Sequence, residues 1–178
     1  MNNKQLEERF DILNYKYEKT GKVGNSYEPL NPGEYRAIVH LCIFNSKGEM
    51  LIQRRNRNKN TWPNRWDITC GGAVISGETV SEAMERELYE ELGLKHSFVN
   101  ERPCISVHYY EGVDENFLII KDVDLNDITF NDNEVEEVKY ASKEEVLKLV
   151  DEDKFVFYKR SFLEMFFDFY KDRNHYTD

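Results

Sequence analysis

Long apolar stretches are missing from this sequence of 178 residues, and so is any excess of positive charge. The longest candidate for a membrane helix, 162–170, is interrupted by Glu164 and Asp168, whereas a bilayer span needs about 20 apolar residues. Lysine and arginine number 24 against 34 aspartate and glutamate residues, which gives a formal net charge of −10. These absences argue against a membrane protein and against binding to nucleic acid through phosphate neutralisation.

Cysteine is also scarce. Cys42, Cys70 and Cys104 lack the spacing of a metal motif, and an odd number does not suit a disulfide framework. The polar N-terminus has no apolar signal segment. We therefore expect a cytoplasmic protein with reduced thiols. The length suits one domain, predicted at 34–178, with an N-terminal extension at 1–33 packing on it.

Runs rich in β-branched and aromatic residues predict strands separated by turns. The predicted strands cover 35–45, 50–54, 66–70, 104–110, 117–123 and 135–140. The glycine- and proline-rich segment 20–33 is predicted as loop, and the acidic segment 111–115 as a turn. Helices are predicted after Ser142 and over 154–173. Many strands with few helices predict a mixed sheet flanked by helices.

The clearest helix covers 80–92. Thr79 and Glu82 form a capping-box pattern at its start, and Gly93 suits the left-handed residue that follows a helix end. Apolar residues recur at helical spacing on its core-facing stripe: Val80, Ala83, Met84, Leu88 and Leu92.

Three carboxylates on this helix, Glu87, Glu90 and Glu91, have the spacing i, i+3 and i+4. We expect them to project from one face, away from the apolar stripe. Like charges within one turn repel, and a hard divalent cation such as Mg²⁺ removes that repulsion. Before the helix, the turn at Gly71 and Gly72 allows a main-chain carbonyl to approach a metal. The alternative is an ordinary solvated acidic face.

A longer match favours the metal site. In GGAVISGETVSEAMERELYEELGL, five residues separate Gly72 from Glu78, and seven more precede the run from Arg86 to Leu94. This segment resembles the Nudix box at every defined position, including the aliphatic ones. The resemblance implies an α/β fold, a Nudix-type α/β/α sandwich with a central mixed β-sheet.

The resemblance also implies an activity, a metal-dependent pyrophosphohydrolase that cleaves a nucleoside diphosphate-linked compound by water attack on phosphorus. Its cofactor would be Mg²⁺ or Mn²⁺ and its partner a small-molecule diphosphate. The implied metal ligands are the Gly72 carbonyl, Glu87, Glu90 and Glu91. Arg86 and Glu78 match positions that orient the ligand glutamates.

The general base stays open. It is either a box glutamate or a distal carboxylate, for which Glu134 is the first candidate. Further acidic candidates outside the box are Glu136, Glu137, Asp114 and Glu115. The alternative for all of them is a solvated acidic loop.

A basic loop precedes the box in this otherwise acidic chain. Its predicted substrate-binding residues are Arg54, Arg55, Arg57 and Lys59. Arginine suits bidentate recognition of phosphate, and a plain surface cluster is the alternative. Trp62 in this loop either packs beneath it or stacks on a base.

The wider chain, including YRAIVHLCIFNSKGEMLIQRR and WPNRWD, resembles the Nudix branch of type I isopentenyl-diphosphate isomerase. That enzyme's cysteine position falls here on Gly71, with Cys70 one residue early, and its metal histidines fall on Ala73 and Arg36. The departures favour hydrolysis over isomerisation. A non-catalytic nucleotide-binding domain is a further alternative. The chain is expected to be a monomer or a homodimer.

Overall fold

The computed structural model describes residues 9–131 and 133–172. The first eight residues of the predicted extension and the last six of the predicted domain lie outside the described residues.

The main sheet of the described chain has seven strands. They are β3 (Arg36–Phe44), β4 (Met50–Arg55), β5 (Trp66–Asp67), β6 (Cys70–Ala73), β7 (Ile105–Tyr109), β8 (Gly112–Ile120) and β9 (Val135–Ala141). Strand β3 runs parallel to β8 and antiparallel to β4 and β6. The predicted mixed sheet is confirmed.

Helices cover both faces of this sheet. They are α1 (Val80–Leu92), α2 (Lys143–Asp151) and α3 (Arg160–Lys171), with a 3₁₀ turn at Leu125–Asp127. Alternate side chains of β3 enter two separate cores, as the pleat of a strand requires. Leu41 packs in the core that contains α1, whereas Phe44 packs in the core that contains α3. The α/β/α sandwich is confirmed.

Helix α1 has the predicted ends. Thr79 accepts from the backbone N–H of Glu82, and the Glu82 carboxylate accepts from that of Thr79. Gly93 closes the helix in the left-handed region at φ 68°, which a residue with a side chain adopts at a cost. Helix α2 begins with the same reciprocal bonding between Ser142 and Glu145.

The prediction of loop over 20–33 is wrong in its first part. Residues Lys19–Asn25 form β2, which pairs antiparallel with β1 (Arg9–Leu13). Gly24 lies directly over the Phe10 ring, where a Cβ would approach the ring to 2.7 Å. The glycine there permits close packing within a strand and does not mark a loop.

Backbone and side-chain hydrogen bonds join this hairpin to the rest of the chain. Leu13 and Tyr35 exchange backbone hydrogen bonds of 2.8 and 3.0 Å, and the Asp11 carboxylate accepts from the Ser76 hydroxyl at 2.7 Å. Phe10 is buried. The boundary between an extension and a domain near residue 33 stays a prediction.

The single strand predicted over 66–70 is in fact two. Strand β5 pairs with β4, and β6 pairs with β3. Between them the buried Thr69 hydroxyl donates to the Leu51 carbonyl at 2.6 Å and accepts from the Ile43 N–H at 2.8 Å. A side chain therefore replaces the backbone ladder where the strand changes partner.

Two further boundaries are wrong. The acidic turn predicted over 111–115 is mostly strand, because β8 begins at Gly112 and places Asp114 and Glu115 opposite β7. The last helix begins at Arg160, not at 154. Residues 154–156 are extended because backbone bonds of 2.9 and 2.8 Å tie Lys154 and Val156 to Trp66.

No helix among the described residues combines the length and the apolar character that crossing a bilayer requires.

Candidate metal and diphosphate site

The carboxylates of α1 do not all project away from its apolar stripe, and that expectation is wrong. Glu87 is 7% exposed and Glu91 is 3% exposed, on the same face as Met84 and Leu88. Of the three carboxylates at positions 87, 90 and 91, Glu90 alone projects outward, with 49% of its side chain exposed. The apolar stripe is wide enough that positions 87 and 91 fall inside it, so two acids are buried at the sheet surface.

Glu91 is enclosed by neutral hydrogen-bond donors. Its carboxylate accepts from the side-chain amide of Gln53 on β4 and, at 3.3 Å, from the backbone N–H of Gly71. Burial raises the pKa of Glu91 well above its usual value, and the charges of Glu87 and Glu134 raise it further. The two hydrogen bonds act in the opposite direction. Two acids side by side in a buried place are costly unless a cation offsets them.

Glu87 lies against the backbone of β6. Gly72 pairs with Val39 of β3 and presents its Cα to the Glu87 carboxylate. Glycine is the residue that lets a carboxylate approach the main chain so closely. The fold thus brings Gly72 and Glu87 into contact, and the role of the Gly72 carbonyl as a metal ligand stays a prediction.

Arg86 holds this arrangement from the side. Its Nε and Nη2 donate to the two carboxylate oxygens of Glu78 at 2.8 and 3.0 Å, and Nη2 also donates to the Ala73 carbonyl. Its Nη1 contacts Glu87 at 2.7 Å and Glu90 at 3.1 Å. Burial alone would lower the pKa of Arg86, but Glu78 and Glu87 raise it above its usual value. The predicted pair of Arg86 and Glu78 is present.

The basic loop residues do not stand free. Arg54 pairs with Glu137 at 2.8 Å and Arg55 with Asp67 at 3.1 Å, while Arg57 pairs with Glu136. Lys59 pairs with Glu134. Three of these partners lie at or just before the start of β9 and the fourth lies on β5, a relationship that the sequence did not reveal.

The candidates for the general base fall in different places. Glu134 is near enough to Glu91 for its charge to act on that group, and 42% of its side chain is exposed. Glu136 and Glu137 are paired to loop arginines.

The other two candidates lie on β8. Asp114 is a partner of His40, whose Nδ1 lies 2.7 Å from its carboxylate, and Glu115 accepts a hydrogen bond from Ser106.

His40 occupies the space that Gly71 leaves open. A Cβ on Gly71 would lie 2.2 Å from the His40 ring, and Tyr158 reaches the other ring nitrogen at 3.4 Å. His40 is thus a partnered histidine within the sheet. Cys70 is buried, and burial raises the pKa of its thiol well above the usual value.

Gln53 is the site residue that sequence reasoning missed. It contacts Glu91 across 38 positions of sequence, so local periodicity gives no sign of the contact. A signal was nevertheless present, because Gln53 is a polar residue inside the buried strand MLIQRR. A buried polar side chain needs a partner.

The oxygen donors at this site suit a divalent cation. The protein alone does not supply a complete set of ligands for one. Within 9–131 and 133–172, no group of three or more His, Cys, Asp or Glu side chains is gathered for a metal ion. Mg²⁺ commonly takes one or two carboxylates together with substrate phosphates. The buried pair of Glu87 and Glu91 meets that requirement.

The fold and the site together define this molecule as an α/β/α domain in which a glutamate-bearing helix packs on a glycine-rich strand. Residues 34–164 match the NUDIX domain, and the chain belongs to the Nudix family. It is 42% identical over 151 residues to an uncharacterized Nudix hydrolase of Listeria monocytogenes, covering 85% of this chain and 89% of the relative.

Two other comparisons show further similarities of this chain to known proteins. The crystal structure of a Deinococcus radiodurans protein superposes with a TM-score of 0.70 at 26% identity, covering 89% of this chain and 97% of that one. An isopentenyl-diphosphate Delta-isomerase of Corynebacterium glutamicum is 31% identical over 125 residues, covering 65% of this chain and 66% of the relative. The similarity to the isomerase branch is therefore real but weaker.

Proposed function

We propose that this chain is a divalent-metal-dependent pyrophosphohydrolase that cleaves a diphosphate bond in a nucleoside diphosphate-linked compound. The observation that carries the proposal is the burial of Glu87 and Glu91 side by side against the glycine backbone of β6. A solvated acidic face would leave both carboxylates in water, where they repel less and need no partner.

In this proposal Glu87, Glu90, Glu91 and the Gly72 carbonyl would hold Mg²⁺ or Mn²⁺. The ion would supply positive charge that offsets the diphosphate and favours deprotonation of the attacking water. Arg86 holds the carboxylates in place through its bonds to Glu78 and Glu87. Such partners of metal ligands commonly set their orientation.

We assign the general base to Glu134. Its side chain is 42% exposed, so water reaches it. Its charge raises the pKa of the buried Glu91. Lys59 holds its side chain in place. The remaining loop cations, Arg54, Arg55 and Arg57, would exchange their carboxylate partners for substrate phosphates.

Isomerase chemistry is the competing function, supported by the Corynebacterium relative. It needs a reactive group at the position that Gly71 occupies, and the His40 ring fills the space beside that glycine. The thiol one residue earlier, Cys70, is buried with a raised pKa, which keeps it protonated and unreactive. These contacts favour hydrolysis.

A hydrolysis screen tests the proposal. Nucleoside triphosphates, nucleotide sugars, dinucleotides and coenzymes are incubated with the protein and Mg²⁺ or Mn²⁺, and phosphate-containing products are measured. We expect at least one substrate to be cleaved, Glu91→Gln to lower its kcat about 100-fold or more, and Cys70→Ala to leave it unchanged. Glu164→Gln is the matched control, since Glu164 pairs with Arg160 on α3.

Two results would overturn the proposal. If wild-type protein cleaves nothing with any metal, a binding domain replaces the hydrolase. If it interconverts isopentenyl diphosphate isomers and Cys70→Ala abolishes that activity, the isomerase replaces it.

A further inference from the structure

The N-terminal hairpin, formed by β1 and β2, contacts the loop at 74–79, which joins β6 to α1 and contains Glu78. The Asp11 carboxylate on β1 accepts hydrogen bonds from the Ser76 hydroxyl at 2.7 Å and from the Gly77 N–H at 3.1 Å. Each oxygen of this carboxylate therefore bonds one residue of the loop, just before the glutamate.

Two further residues of the hairpin reach the same loop. The Arg9 carbonyl accepts a hydrogen bond from the Ser76 N–H at 2.7 Å. Lys19 on β2 pairs with Asp11 at 2.6 Å, and its Nζ also donates to the Glu78 carbonyl at 3.4 Å. The hairpin therefore bonds to three consecutive loop residues, 76–78.

The hairpin is itself fixed on the rest of the chain, so it can support the loop. Phe10 and Leu13 of β1 are buried. Arg36 Cζ on β3 lies 5.6 Å from the centroid of the Phe10 ring, and Leu13 exchanges backbone hydrogen bonds with Tyr35. Asp11 lies between these two buried residues on β1, so its own position is well defined.

The loop passes through a glycine that side-chain packing does not confine. Gly77 has φ 94°, in the left-handed region, and a Cβ on it would meet nothing within 4 Å. Fixing one residue's backbone in a single conformation costs about 1–2 kcal/mol, and glycine loses more freedom on folding than other residues. The hydrogen bond from the Gly77 N–H to Asp11 offsets part of that cost.

Glu78 connects the position of the loop to the carboxylates of α1. Its carboxylate accepts from Nε and Nη2 of Arg86 and, at 3.1 Å, from the Ile75 N–H. Arg86 in turn contacts Glu87 and Glu90 through Nη1. Because one planar guanidinium bonds all these groups, a displacement of Glu78 changes how Arg86 meets the other two glutamates.

We propose that Asp11 is a positioning residue of the hydrolase, because it fixes the loop before α1 and so the bonds between Glu78 and Arg86. The proposal rests on the proposed function, since it takes the glutamates beside Arg86 to hold a metal ion. The alternative is that the hairpin adds stability and has no influence on the site. Under that alternative, removal of the Asp11 carboxylate lowers Tm but leaves the contacts of Arg86 and the metal affinity unchanged.

Two measurements on the full chain distinguish these alternatives. Hydrogen exchange of the Arg86 Nε–H, followed by NMR without metal, reports on its bond to Glu78. Calorimetry with Mn²⁺ reports on the glutamates of α1. We expect Asp11→Ala to speed the exchange and to weaken Mn²⁺ binding, each about 3- to 30-fold.

Ser76→Ala provides a second variant, since Ser76 is exposed and its substitution leaves the fold intact. It removes one of the two bonds to Asp11 and should give a smaller effect in the same direction. If the hydroxyl acts through Asp11, the double variant should match Asp11→Ala alone in both measurements. Simple addition of the two effects would contradict a shared route.

Glu34→Ala is the matched control, because Glu34 pairs with Lys22 of the same hairpin at 3.0 Å. Its side chain is 15% exposed against 20% for Asp11, so both variants remove a similarly covered carboxylate. We expect the control to lower Tm but to keep the exchange of Arg86 and the Mn²⁺ affinity within about twofold of wild type. Equal losses in the two variants would overturn the positioning role.

The remaining outcomes separate this role from the hydrolase itself. If Asp11→Ala changes neither measurement while wild type binds Mn²⁺ and cleaves a substrate, the positioning role fails and the hydrolase stands. If wild type neither binds Mn²⁺ nor cleaves anything, but Asp11→Ala alone speeds the exchange of Arg86, the hydrolase fails and the connection from the hairpin to Arg86 stands.

Discussion

A Cβ placed on Gly72 would lie 2.1 Å from Oε1 of Glu87 and 2.4 Å from its Cδ. The Glu87 carboxylate on α1 thus contacts the backbone of β6 directly at Gly72. No side chain at position 72 is compatible with the observed place of Glu87, since real Cβ contacts of this kind do not occur below about 3 Å. The turn predicted at Gly71 and Gly72 is wrong, because both glycines lie in strand β6, and the contact with Glu87 explains the glycine at position 72.

Gly72→Ala should displace Glu87 and weaken metal binding. The glutamate is a flexible side chain, so the fold can accommodate the methyl group while the carboxylate cannot keep its position. We expect the Mn²⁺ affinity, measured by calorimetry, to fall about 10- to 100-fold, with a smaller change in Tm.

Gly71→Ala is the matched control for that variant. Its added Cβ would meet the His40 ring at 2.2 Å, and the backbone N–H that donates to Glu91 is retained. Because that Cβ would also lie 2.7 Å from the Val39 carbonyl oxygen, which is backbone, we expect a larger loss of stability without the loss of Mn²⁺ affinity. Equal effects of the two alanines on metal binding would contradict the role given to Gly72.

Arg86→Lys should lower kcat/KM about 10- to 100-fold. Lysine keeps the charge but lacks the planar fork that bonds both oxygens of Glu78 while reaching Glu87. The control is Arg160→Lys, which changes a more exposed arginine paired with Asp151. Steady-state kinetics that place both variants within twofold of wild type would show that charge alone suffices at position 86.

Asp11→Asn tests the attachment of the N-terminal hairpin. Hydrogen bonds from Lys19 and Ser76 lower the pKa of Asp11 from 3.8 to about 2. A depressed carboxyl pKa stabilises the fold above pH 3.8, and that stabilisation is lost as the pH falls toward 2. After allowance for solvent screening, the variant should lose about 1 kcal/mol at pH 7.

Urea unfolding of both proteins across the acid range measures this difference. The gap between wild type and Asp11→Asn should be constant from pH 7 to about 5 and should then close as Asp11 is protonated. A gap that persists unchanged to pH 2 would mean that the carboxylate charge contributes nothing there.

Glu134→Gln should lower kcat about 10²- to 10⁴-fold, the usual contribution of a general base, with little change in KM. Glu136→Gln is the neighbouring control, since Glu136 pairs with the exposed Arg57 on the same edge of the protein. We expect the control to keep kcat within a few fold. A larger loss of kcat for Glu136→Gln than for Glu134→Gln would contradict the assignment of the general base to Glu134.

Local signals predicted the parts of the fold that local interactions determine. Helix α1 was predicted with its ends because Thr79, Glu82 and Gly93 interact within a few residues of each other. The hairpin of β3 and β4 was predicted for the same reason, and Ile43 pairs with Leu51 as expected.

Errors arose where a distant partner decides the conformation. Residues 154–156 have a helix-compatible sequence but are extended because Trp66, almost 90 positions away, pairs with their backbone. Asp114 was predicted in a turn, and its place on β8 follows from pairing with both β7 and β3.

In the candidate site, too, features set by local sequence were predicted and features set by distant contacts were not. Spacing along one helix identified Glu87 and Glu91, and a motif identified the pair of Arg86 and Glu78. Their burial was not predicted, because position on a helix wheel does not fix how wide the covered face is. The contact of Trp62 with Phe157 joins residues 95 positions apart and has no local signature. Cytoplasmic location and a monomeric or homodimeric state stay predictions.

The most direct test of the metal site is anomalous diffraction from crystals grown with Mn²⁺ and a non-hydrolysable nucleoside diphosphate analogue. We expect an anomalous peak within bonding distance of carboxylate oxygens of both Glu87 and Glu91, with the diphosphate on its other side. A peak held by other residues, or none while Glu91 keeps its bond to Gln53, would contradict the account.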